Sequence, residues 1–235
     1  MEITPETLTA TYGNIVSSLA RRMIRNHETA RDAAQEVWYE VLKSLPSFQG
    51  KSLFSTWLYT IARRTILNYA QKEKNWSVRF LSEVFEIRRD DGIPEMVKIP
   101  VEDRSTWVKL QCSDCVTAIL HCLENESRLI YLFRVLTDLN FSDLSSIFQK
   151  EEAAVRKTWS RARRKIHNFL NGHCFLYNLN GNCRCKLKKP IMALDQKREY
   201  QKVFGQSRKI FFLNKAENYY ESPNFWKTFL KELKD

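Results

Sequence analysis

The 235-residue chain is 43% hydrophobic, enough to build one large or two small cores, and reads as a soluble globular protein. Lys and Arg total 38 against 27 Asp and Glu, so the net charge of +11 makes a polyanion such as DNA, RNA or an anionic membrane the expected class of partner. Nowhere do about 18 apolar residues run together, which excludes a spanning helix. The start, "MEITPETLTATYGNIV", lacks a basic region followed by an apolar stretch, so a cytoplasmic location with no membrane insertion is expected.

Glycine and proline are sparse, at 6 each, and the apolar spacing is mostly helical, which predicts an almost wholly α-helical protein. Residues 5–25 place Leu8, Tyr12, Ile15, Val16, Leu19 and Met23 at three- and four-residue intervals. A second helix carries Ala30, Ala34, Val37, Val41 and Leu45 before Pro46 stops it. A third begins near Ser52 or Ser55, either of which can cap it, and runs to about Lys72 with Phe54, Leu58, Ile61 and Thr65 along its inner side. These helices make a first domain, residues 1–75.

Residues 76–111, with Pro94, Pro100 and nearly balanced charge, read as a linker. Helical periodicity returns over 112–170, a second all-helical domain. From 171 to 235 follows a Cys-containing basic extension, partly helical.

Three constellations bear on function. Asp32, Gln35 and Glu36 fall on one helical face, opposite much of the apolar stripe, and suit a basic partner helix; standing alone they mean little, because surface carboxylates are usually just solvated. "FQGKSLFSTWLYTIARR", residues 48–64, crowds Phe48, Phe54, Trp57 and Tyr59 ahead of Arg63 and Arg64. "FSDLSSIFQKEEAAVRKTWSRARRKIHNFL", residues 141–170, reads as a short helix, which Ser142 can cap, a tight connection and a longer basic helix. There Val155, Trp159 and Ile166 point inward, leaving Arg156, Lys157, Ser160, Arg161, Arg163 and Arg164 outward. That is the logic of a helix-turn-helix, whose second helix enters a major groove; the other reading of the charge pattern is a solvated amphipathic helix in a bundle.

In order, these pieces resemble a known family. "ARDAAQEVWYEVLKSLPSFQGKSLFSTWLYTIARRTILNYAQK" is similar to the second conserved region of bacterial RNA polymerase sigma factors of the sigma-70 family, in particular the extracytoplasmic-function (ECF) group. "VRKTWSRARRKI" and its surroundings resemble that family's fourth region. The resemblance implies a protein that is not an enzyme, needs no cofactor, binds core RNA polymerase and promoter DNA, and is open to masking by an anti-sigma factor. It implies core-polymerase binding by Asp32, Gln35 and Glu36. It assigns promoter melting and reading of the -10 element, as duplex opens to a non-template strand, to Phe48, Lys51, Ser52, Phe54, Trp57, Tyr59, Arg63, Arg64 and Asn68. Tyr59, Arg63 and Arg64 are expected on the side facing away from the core. Arg156, Lys157, Ser160, Arg161, Arg163 and Arg164 would bind the -35 element. Gln149 and Lys150 stand where the turn usually has a Gly and an apolar residue.

"HCFLYNLNGNCRCKLKK" holds His173, Cys174, Cys183 and Cys185. Three thiolates and an imidazole could make a structural zinc site, although adjacent His and Cys rarely reach one ion; a redox-responsive thiol cluster and packed thiols are the other readings. The rival functions are a stand-alone helix-turn-helix regulator, which leaves the 48–64 aromatics unused, and a metalloenzyme, for which no general base stands beside the cysteines.

Overall fold

The structure, a computed structural model, describes residues 4–72 and 119–173. The expected linker, the extension from 174 onward with Cys174, Cys183 and Cys185, and the His173 side chain lie outside the described residues. Every regular element among the described residues is helical, as the apolar spacing predicts: α1 (Pro5–Met23), α2 (His27–Ser44), a single 3-10 turn (Leu45–Ser47), α3 (Phe54–Gln71), α4 (Asn125–Leu136), α5 (Phe141–Phe148) and α6 (Glu152–His173).

Local chemistry sets the ends. Thr4 and Thr7 form a capping box at the start of α1, with Pro5 in the first turn where a missing N–H costs nothing. The Asn26 side chain accepts the Thr29 N–H at 2.9 Å to open α2. At α3 the expectation fails: Leu53 occupies the capping position with no side-chain hydrogen bond, and neither Ser52 nor Ser55 caps. The Ser52 hydroxyl donates instead to the Leu53 carbonyl at 3.4 Å. Ser142 does not cap α5 either; Asn140 does, in a capping box with Asp143.

The described residues fall into two compact units, one of residues 4–72 and 125–159, the other of 119–124 and 160–173. In the first unit α2 packs most extensively, against α1 and α3. Its inner face is lined by Ala30, Ala33 and Ala34, small enough for close approach, and anchored by the fully buried Trp38. Burying a side chain of Leu or Phe size contributes about 1.5–3 kcal/mol, so Leu8, Val16, Leu19, Val37, Leu58 and Ile66 fix this three-helix core.

Against it pack α4 and α5: α4 on α1 and α3, α5 on α3. α4 is buried nearly all round, through Arg128, Leu129, Ile130, Tyr131, Leu132, Phe133 and Leu136, which is the pattern of a helix with neighbours on both sides. Phe133 joins the halves, its ring centroid 5.4 Å from Tyr59 and 6.0 Å from Phe148. In the second unit, the described residues 119–124 and 160–173 bury Ile119, Leu120, Leu123, Ala162 and Ile166, and Lys165 Nζ donates to the Cys122 carbonyl at 2.8 Å.

Candidate nucleic-acid interface

With Ala33, Ala34, Val37, Trp38 and Val41 turned inward, helical geometry leaves Asp32, Glu36 and Tyr39 exposed and Gln35 half-buried on the outer face of α2. The expected cluster is therefore at the surface. Tyr39, 46% exposed, was not singled out from sequence, although its place one turn beyond Gln35 and Glu36 marks it. Across on α3, partial burial raises the Tyr69 phenol above its ordinary pKa, helped by the charges of Glu36 and Asp32. Glu40 ties the same face to its neighbours, 3.3 Å from Arg64 and 3.9 Å from Lys43. An acidic rim around an exposed aromatic ring suits a basic, partly apolar helix.

The loop before α3 turns at Gly50, whose φ of +67° lies in the left-handed region that favours glycine. A β-carbon there would meet nothing within 4 Å. Lys51 and Ser52 are exposed, and Leu53 is 70% exposed, the most open large apolar side chain described. Behind the loop the rings form one half-buried stack: Phe48 lies 5.0 Å from Trp57 and 5.4 Å from Phe54, Phe54 lies 5.3 Å from Trp57, and Tyr12 adds a contact to Phe54 at 5.8 Å. These aromatics are neither fully core nor fully free. They support one another, which holds their ring edges in place beside the exposed loop.

Along α3 the expected outward row divides. Arg64 and Asn68 are exposed. Tyr59 is not: it is 3% exposed, packed on Phe133 and edge-on to Tyr12 at 6.0 Å. Burial pushes its phenol well above the ordinary range near 10, with smaller contributions from Tyr12 and Asp138. Arg63 is half-buried; its Nη1 donates to the Ile147 carbonyl at 3.2 Å and its guanidinium lies 5.1 Å above the Phe148 ring. The expectation that Tyr59 and Arg63 face away from the core is corrected by α4 and α5, which cover that side. The inner stripe shifts accordingly: Leu58 and Thr65 are buried as expected, Phe54 and Ile61 are only half-buried, and Tyr59, Ala62 and Ile66 fill the core.

Helices α5 and α6 follow one another through a tight turn, the element order expected of a helix-turn-helix. The connection turns at Gln149, whose φ of 53° and ψ of 47° take the left-handed conformation usually left to glycine. The Gln149 N–H donates to the Ser146 carbonyl at 3.4 Å and the Lys150 N–H to the Ser145 carbonyl at 3.1 Å, a Schellman closure. Lys150 also pairs with Glu126 of α4. On α6 Val155 is buried and Trp159 half-buried, edge-on to Phe141 at 5.5 Å, while Arg156 and Lys157 are exposed. Glu152 holds Arg156, which reaches over the Phe141 ring at 4.4 Å. In the second unit Ser160, Arg161, Arg163 and Arg164 are likewise exposed. Every residue expected to meet duplex DNA is at the surface. No group of three or more His, Cys, Asp and Glu able to hold a metal ion occurs among the described residues.

Residues 8–75 match the family model described as Sigma-70 region 2. The chain is 28% identical over 156 residues to "RNA polymerase sigma factor YlaC" of Bacillus subtilis, covering 66% of this chain and 84% of the relative. It is 28% identical over 169 residues to the "ECF RNA polymerase sigma-E factor" of Haemophilus influenzae, covering 68% and 84%, and 27% identical over 163 residues to the protein of that name in Escherichia coli K12, covering 68% and 83%. Among solved structures, that of CnrH in complex with the cytosolic domain of CnrY matches with a TM-score of 0.50 over 70% of this chain and 86% of that chain, at 16% identity, a likeness of fold.

Proposed function

From the membership of this chain in the sigma-70 family, in its extracytoplasmic-function group, we propose that it binds core RNA polymerase, directs it to a subset of promoters and helps to open them. The match of residues 8–75 to sigma-70 region 2, on helices that keep Asp32 and Glu36 at the surface, carries this reading. Asp32, Gln35, Glu36 and Tyr39 dock the polymerase. Phe48, Phe54 and Trp57 back the loop of Lys51, Ser52 and Leu53, which receives a base from the opened strand; Arg64 and Asn68 follow along α3. Arg156, Lys157, Ser160, Arg161, Arg163 and Arg164 grip duplex DNA upstream.

The energetics need no hydrolysis. Extruding a base costs a few kcal/mol, and stacking one on an aromatic side chain returns about 1–3 kcal/mol, so one or two captured bases offset local opening. No cofactor enters the scheme, the protein is not an enzyme, and it acts in the cytoplasm beside the polymerase. A partner that masks its surfaces, an anti-sigma factor, fits the same scheme; CnrH, a relative in fold, is seen bound to the cytosolic domain of CnrY.

A stand-alone regulator is the less favoured reading, because the relatives named RNA polymerase sigma factors align over 66–68% of this chain. The test is reconstitution with core polymerase and genomic promoter fragments, mapping transcript starts. Specific starts are expected only when the chain is added; duplex binding without them would favour the regulator. Zinc analysis of the reduced protein tests the group of His173, Cys174, Cys183 and Cys185, and clearly substoichiometric metal removes it.

A further inference from the structure

Arg156 stands in the second turn of α6 with its side chain 58% exposed, yet its guanidinium is held from two directions. Nε donates to Glu152 Oε1 at 2.8 Å, with Nη2 on the same oxygen, and the group lies 4.4 Å from the centroid of the Phe141 ring. We propose that Phe141 and Glu152 are positioning residues, which hold Arg156 for the neutral edge of a guanine in the major groove and away from phosphate. The inference rests on the duplex-binding role given to Arg156 above.

The platform is fixed before DNA arrives. At the start of α5 the Asn140 side chain accepts the Asp143 N–H at 2.9 Å and the Asp143 carboxylate accepts the Asn140 N–H at 2.8 Å, which sets the backbone of Phe141, the first residue of the helix. Trp159 meets the Phe141 ring in a T-shaped contact at 5.5 Å. Arg134 of α4 lies 4.8 Å from the ring centroid, and its Nη1 donates to the Leu139 carbonyl. The face of such a ring attracts a cation and suits the flat guanidinium best. Glu152, one helical turn before Arg156, supplies a stop at the side. An arginine ordered in this way loses less side-chain freedom on binding than one that moves freely in water.

The remaining donors select the partner. A guanidinium carries its N–H groups in a rigid fork, and Glu152 takes the edge formed by Nε and Nη2, which leaves the end-on pair from Nη1 and Nη2. Two parallel donors match O6 and N7 of guanine, the one base edge in the major groove with two acceptors side by side. Adenine presents an acceptor and a donor there, so one N–H would face another. Charge points the same way. A phosphate approaching Arg156 also meets the Glu152 carboxylate, a like charge on the same guanidinium, whereas a guanine edge is neutral and is not repelled. Lys157, the next residue, is exposed, and its compact ammonium suits a phosphate.

The test uses the full chain assembled with core polymerase and a pool of duplexes randomised over the upstream element, sequenced before and after retention. Affinities for the selected duplex are then measured across a range of salt. The unmodified chain is expected to enrich a guanine at one upstream position and to lose about tenfold in affinity when that pair becomes adenine–thymine. Arg156→Ala should abolish the preference at that position alone and leave the slope of log affinity against log salt unchanged. Lys157→Ala should weaken all duplexes alike and lower the slope by about 1. Phe141→Leu should reduce the discrimination to about twofold, and Phe141→Tyr, which keeps the ring, should retain it. Glu152→Gln, a change at the surface, should reduce it similarly and raise the slope by about 1, because Arg156 then turns to phosphate; in the Arg156→Ala background it should change neither. A slope lowered by Arg156→Ala with base preferences unchanged would overturn the proposal. So would a rise in slope from Glu152→Gln that persists without Arg156, or a guanine preference that survives Phe141→Leu in a chain of unchanged circular dichroism. No enriched upstream element with the unmodified chain would remove the proposed function, and this inference with it.

Discussion

Helices α2 and α3 carry the same kind of pattern, an apolar stripe on one side and a row proposed to bind partners on the other, yet only on α3 is part of that row buried. On α2 the inward residues meet α1 and α3, and Asp32, Glu36 and Tyr39 look outward. On α3 the inward side meets α1 and α2, but α4 and α5 close over part of the other side, taking Tyr59 and Arg63 with them. Periodicity tells a helix which side is greasier; it does not tell how many neighbours the helix will have.

The sharpest contrast should come from stability. Tyr59→Ala removes a ring packed on Phe133 and Tyr12 and should cost about 3 kcal/mol in urea unfolding, whereas replacing Asp32, Gln35 and Glu36 together by Ala should change stability by less than about 1 kcal/mol. The same triple replacement should weaken core-polymerase binding on the order of tenfold, read by fluorescence anisotropy, and leave duplex DNA binding by the chain alone unchanged. Loss of stability in the triple variant would erase the distinction between the two helices.

A second contrast is in salt. Arg161 and Arg163 are exposed, so replacing either by Ala should weaken duplex binding and reduce the slope of log affinity against log salt by about 1. The corresponding replacement of Arg63 should leave that slope unchanged while the contact to the Ile147 carbonyl is closed.

Alkaline pH gives a smaller effect. The phenol of Tyr59 is held above its ordinary value near 10 in the folded chain, so above that pH the unfolded chain loses this proton first and stability falls as pH rises. Tyr59→Phe should flatten this alkaline decline, followed by the urea midpoint against pH, while Tyr39→Phe should not. The smallest effect is expected at the turn: Gln149 pays a left-handed strain of about 1 kcal/mol that Gly would not, and Gln149→Gly should raise the unfolding midpoint slightly.

Much of this was legible in the sequence. Each helix of the first 72 residues starts and stops close to where spacing, Pro46 and the polar stretches place it, and all six residues expected to bind the -35 element are at the surface. At α5 several neighbouring residues can cap, and Asn140 with Asp143 satisfies two donors where Ser142 would satisfy one; at α3 no side chain caps, and Leu53 holds the position. Phe54 left the inner stripe because Phe48, Trp57 and Tyr12 offered it ring contacts that helical spacing does not register. Tyr59 entered the core through Phe133, and Arg63 reached Ile147 across 84 positions of chain, a separation over which local pattern carries no signal.

Gly50 is constrained in torsion and free in volume. Its backbone demands a left-handed residue, while the place a side chain would occupy is empty to 4 Å. Asn, which tolerates that conformation better than most residues, could therefore stand there at modest cost and project an amide into open space. The loop ahead of α3 can gain a hydrogen-bonding group without a single compensating change in the helices beneath.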